Sequence, residues 1–403
     1  MKIWVVNHYA DPPDGLSTRS YDLARRMVQR GHSLTIFASA FSHYHFRTMR
    51  KIGLARLWRA ENIEGVRFIW IRTTPYRMND WRRMLNMLSF AMVSLLAGLF
   101  VWERPHVVSG VSVHPMAALS GYALARLKGA RFFLEITDLW PQTLIDFGRL
   151  QPDSMTARSM RVLERFLFRH AERIVMLWRH TDDYVEAQGV SREKILWLPH
   201  GVELDRYGEL RPYTGGTERP FKVMYLGGFV ASMAIDNILA AAALLKQRHR
   251  DDIRFLLVGA GTYRDQIIRQ AREADLGNVD FPPPVAKKDI ARAMNEADAF
   301  IYGLRDLPLY KYGMSLNKLT DYLAGGRPII FYGNSTYDPV ADARAGFTVP
   351  PDNPDALADA IERLVSLSPN ERVGMGRRGR EYLVEYHNIP RLADRFLQAI
   401  ESH

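Results

Sequence analysis

The chain has no cysteine among its 403 residues. Disulfides, thiolate zinc centres and a cysteine nucleophile are therefore excluded, and the composition suits a reducing compartment. No His-Glu-x-x-His signature occurs, and His43-x-His45 has no third ligand near it in sequence. No two aspartates stand as Asp-x-Asp, and no Gly-x-Ser-x-Gly elbow appears. The apolar run at residues 1–6 is too short for a secretory signal. Long hydrophobic runs are scarce, with one exception at 84–102. That segment has no charged residue and approaches the roughly 20 residues of a membrane span. Asn86, Ser89 and Ser94 interrupt it, and it leads into Val107-Val108 as a crossover helix would. It is expected to be a helix in, or on the edge of, a first domain. Where exposed, it would sit in a membrane interface beside Arg82-Arg83.

What charge there is lies unevenly. Residues 1–205 hold 28 Lys and Arg against 19 Asp and Glu, while 206–403 hold 26 against 25. A basic excess on one half points to an anionic partner, either nucleic acid or an anionic membrane surface. No recognised nucleic-acid motif accompanies the charge, so nucleic-acid binding is not expected.

Strand and helix patterns alternate, which implies a parallel sheet covered on both faces. Strands are expected at 2–7, 33–38, 67–72, 107–111, 131–135, 173–177 and 195–198. An amphipathic helix is expected at 18–30. A Gly-, Pro- and Thr-rich break at 208–220 reads as a linker or long loop. The pattern then restarts with strands at 221–226, 254–258, 299–302 and 328–332. The expected fold is α/β, with two doubly wound domains at 1–205 and 206–385 and a cleft between them. A last helix in 386–403 would pack back on the first domain. In such sheets ligands bind at the carboxyl ends of strands.

The segment Ser315-Leu-Asn-Lys-Leu-Thr-Asp-Tyr-Leu-Ala-Gly-Gly-Arg-Pro328 reads as a helix capped by Ser315 and ended by Gly325-Gly326. Its amides suit a phosphate, and Asp321, about two turns in, would accept from a sugar diol. Gly227-Gly228 and Gly259-Ala-Gly261 follow earlier strands at strand-to-helix turns, each a weak phosphate-loop signal alone. In the first half, Gly15 lies in the loop after the first strand, with Ser17 or Thr18 as a helix cap. His114 ends a strand and would donate to a substrate hydroxyl or phosphate. Glu135 and Asp138 follow the next strand; either would accept a proton from an attacking hydroxyl, although Glu135 is better read as a loop anchor.

These residues resemble the retaining glycosyltransferases of family 4, with the GT-B fold. The likeness is nearest to bacterial enzymes of O-antigen and capsule assembly. It rests on Asn7-His-Tyr-Ala with Gly15 and Thr18-Arg19, on 135–141, on Leu198-Pro-His-Gly-Val-Glu203, and on 315–324. It implies sugar transfer from a nucleotide diphosphate donor, expected to be UDP-linked with an N-acetylated or deoxy sugar, to a polyprenyl-diphosphate-linked acceptor. It implies no metal or other cofactor, and a protein peripheral to the inner face of the cytoplasmic membrane. By the same likeness Asp321 holds the ribose, and amides near Ser315, Leu316 and Asn317, with Lys318, hold the diphosphate. Gly227 and Gly228 line the donor site, Gly261 and Arg264 lie near the base, and Gly15 lies near the donor phosphates. His114 faces the donor sugar and Asp138 assists it; His8, Arg19 and Glu135 face the acceptor. The chain departs from the family at Met233, Ala234 and Gly313, where a basic pair, a glycine and an acid are usual. Arg305, Lys311 or Lys318 are candidate replacements. A degenerate sugar- or partner-binding module and a sugar-nucleotide epimerase are the rival readings.

Overall fold

The computed structural model describes residues 1–53, 55–78, 80–217 and 220–402. The chain divides into two compact units, Met1–Pro199 with Ile389–His403, and His200–Asn388. The crossing points thus fall at 199/200 and 388/389 rather than at 205/206 and 385/386.

The first unit holds β1 (Lys2–Val6), β2 (Ser33–Ser39), β3 (Phe41–Ser42), β4 (Arg47–Thr48), β5 (Trp58–Ile63), β6 (Val66–Ile71), β7 (Val107–Val111), β8 (Arg131–Ile136), β9 (Arg173–Met176) and β10 (Ile195–Trp197). Its main sheet runs β10-β9-β8-β7-β1-β2-β6-β5. Every pair is parallel except β5–β6. The parallel strands read as near-continuous apolar runs because helices cover both faces. Strand order reverses between β1 and β7, so the loops after those two strands open on one crevice. His8 follows β1 and His114 follows β7, and this topology brings them together.

The helix after β7, Pro115–Lys128, sits close against its own strand. A Cβ on Gly121 would lie 2.8 Å from Gly110 Cα, and one on Gly110 would lie 2.9 Å from Ala118 O. Only paired glycines allow this approach. Gly121→Val is expected to destabilise the protein by about 1–3 kcal/mol through overpacking, read as a lower urea midpoint with an unchanged slope. The Ile389–Glu401 helix buries Ile389, Leu392, Ala393, Phe396, Leu397 and Ile400 in the core that includes Tyr21, Ala24 and Met27 of the Arg19–Gln29 helix.

The second unit holds β11 (Phe221–Leu226), β12 (Ile253–Val258), β13 (Val279–Asp280), β14 (Ala299–Gly303), β15 (Ile329–Tyr332) and β16 (Gly346–Val349). The order is β13-β12-β11-β14-β15-β16, all parallel. This is the doubly wound order, with its switch point between β11 and β14. The break at 208–220 is not a slack linker where it is described. Buried Arg372 donates to Gly215 O at 2.6 Å and to Gly216 O at 3.3 Å, pinning that stretch to the second unit. Glu218 and Arg219, within that break, lie outside the described residues.

Candidate functional site

In the second unit the Asn317–Gly325 helix follows β14. Leu316, extended at φ −120°, occupies the N-cap, and no side chain caps the helix. This corrects the expected Ser315 cap. The chain enters the helix one residue later, and the Ser315 hydroxyl is buried without a hydrogen bond. An uncapped helix start leaves its first amides for another acceptor. At the other end Gly326 takes the left-handed conformation at φ 62° and stops the helix.

Lys318 stands in the first turn of this helix, where the macrodipole disfavours a cation. Its Nζ donates to Tyr225 Oη at 2.6 Å and lies 4.4 Å from the Tyr225 ring centre. Tyr225 in turn donates to Gly228 O at 2.6 Å. Burial lowers the Lys318 ammonium to about 7, with Asp321 opposing. Gly227 makes room for this lysine, since a Cβ there would lie 2.9 Å from both Cε and Nζ. Asp321 Oδ1 accepts from Tyr207 Oη at 2.5 Å. Burial pushes the Asp321 carboxyl up to about 6, against the pull of that hydrogen bond. Tyr322 fixes the helix to the end of β11 by accepting from Leu226 N at 2.8 Å and donating to Leu226 O at 3.1 Å.

The glycine turns divide by role. A Cβ on Gly259 would fall 1.9 Å from Gly227 O, and one on Gly261 2.3 Å from Phe229 O. These glycines let the two turns pack on each other, which is their physical requirement here. Gly228 has only distant neighbours around its Cβ position, so backbone there can approach a ligand. Arg264 donates to Phe281 O and Pro282 O, both at 3.2 Å. Arg305 is unsuited to replace a missing phosphate ligand. It pairs with Asp236 at 2.7 Å and Asp352 at 3.6 Å. Ala234 adopts φ 46°, the left-handed conformation for which glycine is the usual choice, and Gly313 sits at φ 96°.

An anion held by Lys318 requires the ammonium, and a diol held by Asp321 requires the carboxylate. Affinity for a nucleoside diphosphate is therefore expected to fall below about pH 6, as Asp321 is protonated, and above about pH 7, as Lys318 loses its proton. Calorimetric titration with UDP across both limbs checks this. Lys318→Met should remove the upper limb alone; a wild-type profile flat through both limbs would sink the assignment.

In the first unit, His8 Nδ1 and His114 Nε2 are 2.6 Å apart, both rings buried. His114 Nδ1 accepts from Ala117 N at 3.2 Å, so His114 caps its own helix. That bond places the His114 proton on Nε2, which donates to His8 Nδ1, and leaves the His8 proton on Nε2. Burial lowers His114 to about 3 and His8 well below its ordinary value, with the Arg83 charge adding to both. Asn86 faces the His8 ring and favours protonation, yet His8 Nε2 and Asn86 Oδ1 make no hydrogen bond. Both His114 nitrogens are thus engaged within the protein, which corrects the expectation of a His114 free to donate to substrate, and His8 Nε2–H stays buried beside Asn86. Phe90 stacks on His8 at 4.2 Å. His43, stacked on Tyr9 at 4.9 Å and bonded to Tyr76, completes a wall of neutral imidazoles; burial lowers it to about 4.

Arg19 and Glu135 do not present their charges to an acceptor. Arg19 Nε meets Glu135 Oε1 at 2.9 Å, and its two Nη atoms donate to Pro199 O at 2.5 Å and Leu198 O at 2.8 Å. The pair clamps the ends of β8 and β10, as the loop-anchor reading of Glu135 expects. Asp138 is half-buried, and burial pushes it up to about 6. Gly15 is required by Asp11, whose Cβ lies 2.2 Å from the position a Gly15 Cβ would take. The Asp11 carboxylate closes that loop by accepting from Leu16 N and Ser17 N. Thr18 sits at the helix start, but its hydroxyl donates to Asp22 Oδ2 at 2.7 Å instead of accepting from a helix amide. Tyr207, Tyr225, Asn86 and Phe90 were not foreseen; no local spacing marks them. Among the described residues no group of three or more His, Asp or Glu is placed to hold a metal ion.

The chain matches a family model described as a glycosyl transferase 4-like domain over residues 14–201, and one described as glycosyl transferases group 1 over 220–367. The probable glycosyltransferase WbjE of Pseudomonas aeruginosa is 23% identical over 284 residues, 67% of this chain and 68% of that protein. Among solved structures, sucrose-phosphate synthase of Thermosynechococcus elongatus superposes with a TM-score of 0.76 at 17% identity, covering 100% of this chain and 98% of that one. HepE of Anabaena, solved with UDP and glucose, gives 0.68 at 12% identity over the whole of both chains. WaaG, a glycosyltransferase involved in lipopolysaccharide biosynthesis, gives 0.65 at 15% identity over 98% and 99%. The two doubly wound units are those of the GT-B fold.

Proposed function

Because the chain belongs to the family 4 type of glycosyltransferases, with the GT-B fold, we propose that it moves a sugar from a UDP-linked donor onto a lipid-linked saccharide. The transfer proceeds with retention and without a metal, and the sugar is a hexosyl or N-acetylhexosaminyl group. The site of action is the inner face of the cytoplasmic membrane, in assembly of a cell-surface polysaccharide.

One observation carries the donor half of this reading: uncapped amides, Lys318 and Asp321 share the Asn317–Gly325 helix, which follows β14 beside the switch point. A departing diphosphate gathers charge as its bond to the sugar breaks, and preorganised donors stabilise that charge. The ribose hydroxyls donate to Asp321. HepE was solved with UDP and glucose, which supports a UDP donor. The likeness to WaaG supports a cell-surface saccharide as product. The basic excess of residues 1–205 supports an anionic, polyprenyl-diphosphate-linked acceptor. Asp138, its carboxyl raised by burial, is the proton acceptor for the attacking hydroxyl.

The test is incubation with a panel of nucleotide sugars and a polyprenyl-diphosphate-linked saccharide. Nucleotide release with one UDP donor is expected. No release with any donor, together with no UDP binding, overturns the proposal in favour of a degenerate binding module.

A further inference from the structure

The segment singled out for its lack of charge forms the Trp81–Phe100 helix, long and apolar enough to cross a membrane by length and composition. Its orientation is the reverse of an ordinary surface helix, which turns apolar residues inward. The inward face carries Asn86, Phe90, Ser94, Ala97 and Gly98. Asn86 donates to Thr73 Oγ1 at 2.9 Å and Thr74 O at 2.5 Å, and Ser94 Oγ donates to Ser120 Oγ at 3.3 Å. Gly98 lets the helix sit against Leu124, whose Cδ2 is 2.4 Å from the position of an added Cβ. These bonds tie the helix into the first unit, so it is a fixed wall and not a detached span.

The outward face carries Trp81, Met84, Leu85, Leu88, Met92, Leu96, Leu99 and Phe100, all exposed, followed by a fully exposed Trp102. No charge interrupts it from Met84 to Trp102. Soluble monomers rarely present an apolar patch of that extent without a partner. Exposed arginines bracket it: Arg77 and Arg82 at its start and Arg104 beyond its end. Beside Phe100 and Trp102 opens a groove of about 850 Å³ lined by Lys2, Arg56, Arg59 and Arg67, with Glu103 the one acid among its described lining residues.

Resting on the proposal of a lipid-linked acceptor, we infer that this face lies in the headgroup region of an anionic leaflet, with the arginines and the basic groove meeting lipid phosphates. Apolar stripe, flanking tryptophans and a basic rim are the elements of an interfacial helix. A second copy of the chain fits the charge less well. Two-fold pairing of antiparallel helices would set Arg77 and Arg82 of one copy near Arg104 and the basic groove of the other, like charge against like. Anionic lipid neutralises both ends.

The test is flotation of the full chain with vesicles of phosphatidylcholine containing about 30% phosphatidylglycerol, against phosphatidylcholine alone. The wild type should float with the anionic vesicles, weakly with the neutral ones, and less at about 0.5 M salt. Its tryptophan emission should shift to the blue. Met92→Glu with Leu96→Glu should cut binding at least about tenfold while UDP affinity and transfer to a water-soluble acceptor stay unchanged. No flotation, or equal flotation of the double variant, overturns the inference. So does a concentration-dependent dimer, abolished by the double variant, in place of vesicle binding. Intact UDP binding without flotation defeats the docking face and leaves the transfer reaction standing; flotation without UDP binding does the reverse.

Discussion

Asp321→Ala is expected to weaken UDP binding by about 30- to 1000-fold. The carboxylate uses Oδ1 to accept from Tyr207, while Oδ2 makes no hydrogen bond among the described residues. A ribose diol donating to a carboxylate forms charge-assisted bonds, each worth about 1.5–3 kcal/mol net. Two such bonds to one carboxylate do not add fully, so losing both costs roughly 2–4 kcal/mol, which sets the stated range. Calorimetry of wild type and variant reads it directly; affinity within threefold of wild type, at about pH 6.5 where both limbs are open, would remove Asp321 from the site. Stability should move the other way. Burial raises the folded-state value of Asp321 to about 6. The folded protein thus holds this proton more tightly than the unfolded chain. The associated stability is complete below the unfolded value and is lost as pH rises through about 6. Asp321→Asn, neutral at every pH, should therefore leave Tm at neutral pH unchanged or higher while binding falls. Tyr207→Phe supplies the intermediate case. Its hydrogen bond lowers the Asp321 value, so its loss should move the acidic limb of the UDP profile to higher pH.

The parts of this site visible in the sequence were those written in local pattern. Asp321, Gly325-Gly326 and the 329–332 strand stand at fixed offsets, and β7 and β11 fall where their apolar runs place them. What escaped was set by tertiary contact. Tyr207 reaches Asp321 across 114 positions of chain and Tyr225 reaches Lys318 across 93, and no window of sequence holds either pair. The β5 edge strand was missed because its residues alternate charge with apolar groups on an exposed edge. The short β13 and β16 were missed because β13 has two residues and β16 begins with glycine. Ser315 was misplaced by one residue because capping depends on where φ turns helical, which composition does not fix. The 84–102 segment shows the opposite limit. Its apolar content was plain, but which face turned outward depended on the partners of Asn86 and Ser94.

Arg19→Ala is expected to unfold the protein more readily than any other single change considered, by about 3–5 kcal/mol, the cost of breaking a buried ion pair. The Arg19 and Glu135 side chains are only 10% and 7% exposed. Removing Arg19 leaves a buried carboxylate without its cation and withdraws donors from Leu198 O and Pro199 O at the end of β10. For a unit of this size the loss corresponds to roughly 10 °C in Tm. Calorimetric scanning measures it. Replacing both charges, Arg19→Met with Glu135→Leu, should recover most of the loss, because the unpaired charge and not the missing salt bridge is the expensive element. The double variant also separates support from recognition. If the pair only clamps β8 to β10, a refolded double variant keeps its acceptor KM along with its UDP affinity. An acceptor KM raised tenfold or more, with UDP affinity and Tm near wild type, would return Arg19 and Glu135 to the acceptor site that the family resemblance assigned them.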